Sequence, residues 1–252
     1  MAEDRQILII ACAVFKEVIP QYIRETSTQV VFMEYGLHLT PRKLSAAIQE
    51  QIDALTEPRL VLIGYGLCGN GLLGLKSRSH TLILPRVDDC VALHLGSQAD
   101  YLAAFQAEPA TYYLTPGWLE CGGEPMSEYE KCRDRFGPEK ADLISDALYG
   151  HYRRTCLIAF TPEDLAQWRP RALQVAEFCR ERWGWQYQER VGSDALIRRL
   201  LDAGSKAVDA GESRGSRDFL VIDPGGEVRQ DMYMPGPAIQ EKAEKCTTYT
   251  IK

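Results

Sequence analysis

The stretch Arg59-Leu-Val-Leu-Ile-Gly-Tyr-Gly-Leu-Cys-Gly-Asn-Gly-Leu-Leu-Gly74 limits the fold of this chain more than any other segment. A continuous apolar run without polar alternation belongs to a strand covered on both faces, as strands of a parallel sheet are. The run stops in glycines, which supply backbone conformations closed to residues with a Cβ, and Cys68 stands among them. A thiol is thus placed in the loop after a buried strand, where open α/β sheets bind their ligands. Gly64, Gly66, Gly69, Asn70 and Gly71 also resemble a phosphate or nucleotide cradle, with Arg86 further on able to grip an anion through its bidentate fork. Against that, neither the dinucleotide-binding glycine pattern nor the Lys-Ser/Thr of a P-loop is present.

Other segments supply further strands and helices. Gln6 to Val14 and Gln29 to Tyr35 read as strands, with a helix from Lys16 to Thr26 between them that Pro20 starts or kinks. The turn Gly36-Leu-His-Leu-Thr-Pro41 carries His38 past a strand end, and Leu44, Ala47, Ile48, Ile52 and Leu55 keep helical spacing after Pro41. His80 to Pro85 and Thr111 to Thr115 are strands, and Asp88 or Asp89 caps a helix that places Cys90 and His94 on one face. The polar segment 126–153 reads as a helical bridge broken near Gly137-Pro138. A second strand-helix-strand-helix-strand series then runs from Cys156 to Asp223, with a loop at 205–216 and an extended tail from 231. The expectation is an α/β protein of mostly parallel sheets flanked by helices. Two Rossmann-like units, 1–125 and 154–230, would form a structural pseudo-repeat.

The composition excludes several classes. With 252 residues, 45% hydrophobic content and a formal charge of −6, the chain suits a globular core and lacks the basic footprint of a nucleic-acid binder. No apolar stretch reaches membrane length, and Met-Ala-Glu-Asp-Arg-Gln at the start lacks a secretory pattern, so a cytoplasmic location is expected. In a reducing compartment its eight cysteines read as free thiols, metal ligands or catalytic groups rather than disulfides.

Cys12, His38, Cys68, Cys90 and Cys121 all fall at or just beyond expected strand ends, which a parallel sheet gathers at one edge. Either they share a thiolate site, which selects zinc or iron–sulfur, or they are small core residues that happen to lie there. Cys132, Cys156, Cys179 and Cys246 read as packing residues. His94, four residues after Cys90, has the spacing of a further ligand. Asp88 and Asp89 could pass a proton, or one could simply cap the helix. Tyr112, Tyr113 and Trp118 either wall a pocket or pack along a strand.

Several of these motifs occur together in one known group. Ile10-Ala-Cys12, Gly36-Leu-His-Leu-Thr-Pro41, Gly64-Tyr-Gly-Leu-Cys-Gly-Asn-Gly71, Asp88-Asp-Cys90, Leu95-Gly-Ser97 and Tyr112-Tyr-Leu-Thr-Pro-Gly-Trp118 resemble a family of bacterial and archaeal proteins designated only as a domain of unknown function. The family is met near corrinoid-dependent methyltransferase genes. The resemblance implies a set of Cys12, Cys68, Cys90 and His38, leaves out Cys121, and brings no established activity. The family has a histidine where this chain has Asp88, which takes Asp88 out of the catalytic set and leaves Asp89 and His38 as candidates.

The leading expectation is therefore a three-cysteine metal centre with His38 as fourth ligand or proton donor. An iron–sulfur cluster would resemble those of quinolinate synthase and diphthamide synthase in arrangement, with one iron left for substrate. A zinc held by the same thiolates would activate a thiol or water for methyl transfer. The alternatives are a phosphate- or nucleotide-binding module, and a methyltransferase accessory protein that uses the tail as its contact. Expected partners are a small-molecule ligand, a corrinoid methyltransferase-related protein and a second copy of the chain.

Overall fold

The computed structural model describes residues 6–23, 27–206 and 217–233. Its core is two sheets. The larger contains β1 (Ile7–Cys12), β2 (Thr28–Met33), β3 (Leu60–Gly64), β4 (Thr81–Pro85) and β8 (Phe219–Ile222) in the order β2-β1-β3-β4-β8. Strands β1 to β4 run parallel, with Ile7 in register with both Thr28 and Leu60. Every residue of β1 and β3 is buried, as their unbroken apolar sequences require. Helix α1 (Pro41–Asp53) turns Leu44, Ile48 and Ile52 into this core, and α8 (Ala195–Lys206) adds Leu196, Ile197, Leu200 and Leu201.

The smaller sheet is fully parallel, in the order β5 (Thr111–Leu114), β6 (Arg154–Ala159), β7 (Gln186–Val191). Its core takes in Leu114, Leu157, Val175, Cys179 and Trp185, the middle pair from α7 (Pro162–Trp183). The expected break in the helical bridge falls at Gly137, between α5 (Pro125–Phe136) and α6 (Pro138–Tyr149). Among the described residues, no helix is long and apolar enough to cross a membrane.

The fold is α/β, with helices flanking two largely parallel sheets, but it corrects three expectations. The segment after β1 is two short 3-10 turns, Ala13–Phe15 and Ile19–Tyr22, because Pro20 has no N–H to continue a helical ladder; residues 24–26 lie outside the described set. β5, expected in the first unit, joins the second sheet instead. β8, expected to close the second unit, pairs antiparallel with β4 at the edge of the first sheet, Leu82 opposite Ile222. The halves are therefore not repeats: α8 and β8 carry their apolar residues back into the first core. The antiparallel strand lies at an edge, so β1, β3 and β4 still end on one side. Of the expected loop at 205–216, Ser205 and Lys206 close α8 and 207–216 lie outside the described residues. The expected tail is described only to Tyr233, through a 3-10 turn at Gln230–Met232.

Candidate functional site

The carboxyl ends of the two sheets meet. β5 leads into α4 (Pro116–Cys121), and Gly117 lies so close to the segment after β1 that a Cβ there would come within 2.7 Å of Val14 Cα. From the first sheet, α2 (Cys90–Leu95) reaches the ends of β6 and β7. His94 stacks on Phe160 with ring centroids 5.2 Å apart, and its carbonyl accepts from the Ser193 N–H at 2.8 Å.

Between these ends lies a cavity of about 300 Å³ lined by Cys12, Cys68, Cys90, His38, His94 and Trp118, together with Val14, Gly69, Asp89, Val91 and Thr115. Each thiol has its own support. Cys12 closes β1 and is 3% exposed. Cys68 follows β3 with φ +46°, a left-handed conformation costly for a residue with a Cβ, in a loop pinned by Leu67 N–H to Val87 C=O and Cys68 N–H to Asp88 C=O, both 2.9 Å. Cys90 opens α2, whose cap is Asp89. Gly66 allows the loops to touch, since a Cβ there would meet the Asp89 backbone at 2.5 Å.

The Cys68 and Cys90 sulfurs are 3.5 Å apart. The Cys90 thiol donates to Cys12 and so draws the Cys12 pKa below the usual thiol range, against the opposing effect of burial. Half-buried Cys90, hydrogen-bonded to Cys12 and Cys68, stays protonated well above that range. Tyr65, 1% exposed and inside the glycine motif, sets its hydroxyl beside the three thiols, with Cys12 next to it, and has no hydrogen-bond partner of good geometry among the described residues. Burial, then the neighbouring cysteines, keeps that phenol from ionising.

His38 stacks on Trp118 at 5.4 Å, and burial lowers its pKa. His94 is pushed down to about 4 by burial, against the opposing effect of its bond to Cys90; Nδ1 lies 3.0 Å from Cys90 O, a carbonyl that can only accept, so Nδ1 carries the proton. Asp89 accepts from Val91 N–H at 2.8 Å and from Tyr101 O–H at 3.2 Å, and burial raises its pKa. Asp88 points away, accepting from Gln98 at 2.7 Å, so the two aspartates do not form a proton-transfer pair.

The phosphate-cradle expectation fares differently. Of the loop's N–H groups, those of Leu67, Cys68, Gly71, Leu73 and Gly74 donate to backbone carbonyls, so Gly71 is the member of the expected cradle seen to spend its amide within this loop. Gly64 packs on Ala11 and Gly71 on Leu44; Gly69 edges the thiol cavity, and Asn70 takes φ +72° on the exposed rim. Arg86 lies outside the cavity lining, with its buried Nε unpartnered and its N–H on Asp218 C=O at 2.7 Å.

Cys121 donates to Trp118 C=O at 3.4 Å and does not line the cavity. Cys156 and Cys179 are packing residues whose pKa burial raises to about 11 and about 12. Cys246 lies outside the described residues. Among the described residues, no group of three or more His, Cys, Asp or Glu side chains has its donor atoms already gathered to hold a metal ion. Sequence inspection passed over Tyr65, whose one signal was its place between Gly64 and Gly66, and over Tyr101, Phe105 and Tyr152. With Tyr112, Tyr113 and Trp118, these last three wall an adjoining chamber of about 460 Å³.

Searches among curated proteins and among solved structures each gave no significant match. Residues 32–201, well over half of the chain and most of the site, match the family described as "Protein of unknown function (DUF1638)", and the chain belongs to that family.

Proposed function

We propose that this protein binds a metal centre through Cys12, Cys68 and Cys90 and uses it on a small molecule held in the adjoining space. One observation carries the reading: three thiols from three separate strand ends converge on a single cavity, two of their sulfurs 3.5 Å apart. Two thiolates each about 2.3 Å from a tetrahedral metal stand about 3.8 Å apart, so this pair needs only a small adjustment to share one. The third must close in as the thiol protons leave, because ligation requires thiolates. His38 and His94 line the same cavity as neutral imidazoles, the form that ligates, and Asp89 offers a half-buried carboxyl for proton transfer.

Soft thiolates select zinc or an iron–sulfur cluster. On this reading a zinc would activate a thiol or water for methyl transfer, and a cluster with one iron open would take substrate directly; a corrinoid methyltransferase-related protein would then be the partner. The Leu67, Cys68 and Gly71 amides, already bonded to carbonyls, weigh against the phosphate-binding alternative. Anaerobic purification with metal analysis and an ultraviolet–visible spectrum tests the proposal. Iron and sulfide with broad visible absorption, or stoichiometric zinc without colour, is the expected result. Protein that holds no metal and takes none on reconstitution would overturn it. Oxygen must be excluded, since oxidation could join the closely spaced Cys68 and Cys90 and destroy the site.

A further inference from the structure

The chamber of about 460 Å³ shares Asp89, Val91 and Trp118 with the thiol cavity, so the two spaces adjoin across these residues. We infer that this chamber binds an organic cation bearing a methylated ammonium group, with the head among the aromatic rings beside Asp89 and the rest of the molecule reaching toward the thiols. Only that last direction rests on the proposed metal site; binding of the cation does not require it.

The walls carry the argument. Tyr112 and Tyr152 meet edge to face at 85°, forming a corner, and Trp118 leans on Tyr112 with its centroid 6.3 Å away. Tyr101 and Phe105 stack along α3 (Gln98–Ala107), with Phe105 52% exposed at the mouth. Among the described residues no Lys or Arg lines the space, where His151 is the one basic side chain beside the carboxyl groups of Asp89 and Glu108. Glu108 is already paired with Arg154 and accepts from Gln188 at 2.7 Å, whereas Asp89 is held only by neutral donors, Val91 N–H and Tyr101 O–H. A carboxylate fixed by neutral groups beside aromatic faces suits a cation. A methylated ammonium has no N–H to satisfy, loses little on leaving water and is drawn to ring faces.

Choline and dimethylbutanol, its neutral isostere with carbon in place of nitrogen, provide the test on full-length, metal-stripped protein, by calorimetry and by tryptophan fluorescence. Choline should bind saturably, and dimethylbutanol about tenfold more weakly, the margin a cation gains at a partly desolvated aromatic site. Asp89→Asn keeps an equally good helix cap while removing the charge, and should weaken choline alone; Trp118→Leu should weaken both. Equal binding of the two probes, no effect of Asp89→Asn on choline, or no saturable choline binding by folded protein would each overturn the inference. Cys68→Ser should leave choline binding intact, which separates failure of this inference from failure of the metal reading.

Discussion

Cysteines sit in the heart of both sheets, with opposite chemical surroundings. In the second, Cys179 lies in the apolar core and Cys156 is a buried strand residue, and burial is the largest of the causes that raise their pKa values. In the first, Cys12 is just as hidden, yet the Cys90 thiol beside it lowers its pKa. Depth is the same; company differs. Cys156 lies within a strand and Cys179 within a helix, each apart from the thiols of the candidate site. Cys12, Cys68 and Cys90 lie where chains leave the sheet, and parallel strands deliver those exits to one place.

The largest test of this contrast exchanges one sulfur on each side. Cys68→Ser should abolish metal binding, and with it the stabilisation metal gives, about 4 kcal/mol when free metal is a thousandfold above its Kd. Cys179→Ser should leave metal content unchanged and cost about 1–3 kcal/mol for burying a hydroxyl. Metal analysis and chemical denaturation with and without metal read both effects, and equal metal content in the two variants would erase the distinction.

A pH experiment probes how the two sheets are joined. His94, pressed between Phe15 and Phe160, is neutral in the fold and has a pKa of about 4, while the unfolded chain takes up the proton in the ordinary imidazole range near 6.5. Its contribution is fully present above that range and is lost as pH falls toward 4, by about 3 kcal/mol in all. Urea unfolding of metal-free protein from pH 7 to 4 should show this slope, and His94→Gln should flatten it. A parallel slope in the variant would move the effect to other groups.

The smallest of these effects is expected at Gly66. Gly66→Ala forces a methyl group against the Asp89 backbone, costing about 1–3 kcal/mol and prising Cys68 from Cys90. Gly184→Ala, at the end of α7 with open space around it, should cost about 1 kcal/mol from its left-handed φ of +73° alone and leave metal binding untouched. Unequal loss of metal affinity between the two is the result that sharpens the comparison.

The sequence by itself determined the strands that carry the thiols, the left-handed loop after Leu60–Gly64, the break at Gly137 and the placing of Cys12, Cys68 and Cys90 at or beyond strand ends. Those features are local: unbroken apolar runs, glycines and strand-end positions act within a few residues, and a parallel sheet then fixes which ends are neighbours. Strand-end position alone also included Cys121, which the family resemblance leaves out and which stays outside the cavity. Tertiary structure alone decided that Phe219–Ile222 crosses back to lie antiparallel beside β4, that the two sheets face each other through their carboxyl ends, and that the glycine loop is pinned through Leu67 and Cys68 N–H to the Val87 and Asp88 carbonyls. It also decided that Tyr101, Phe105 and Tyr152 share a chamber with Trp118, although they come from separate stretches of the chain. Each of these depends on pairings between residues far apart in the chain, whose energies come from burial against a partner surface that no local pattern specifies.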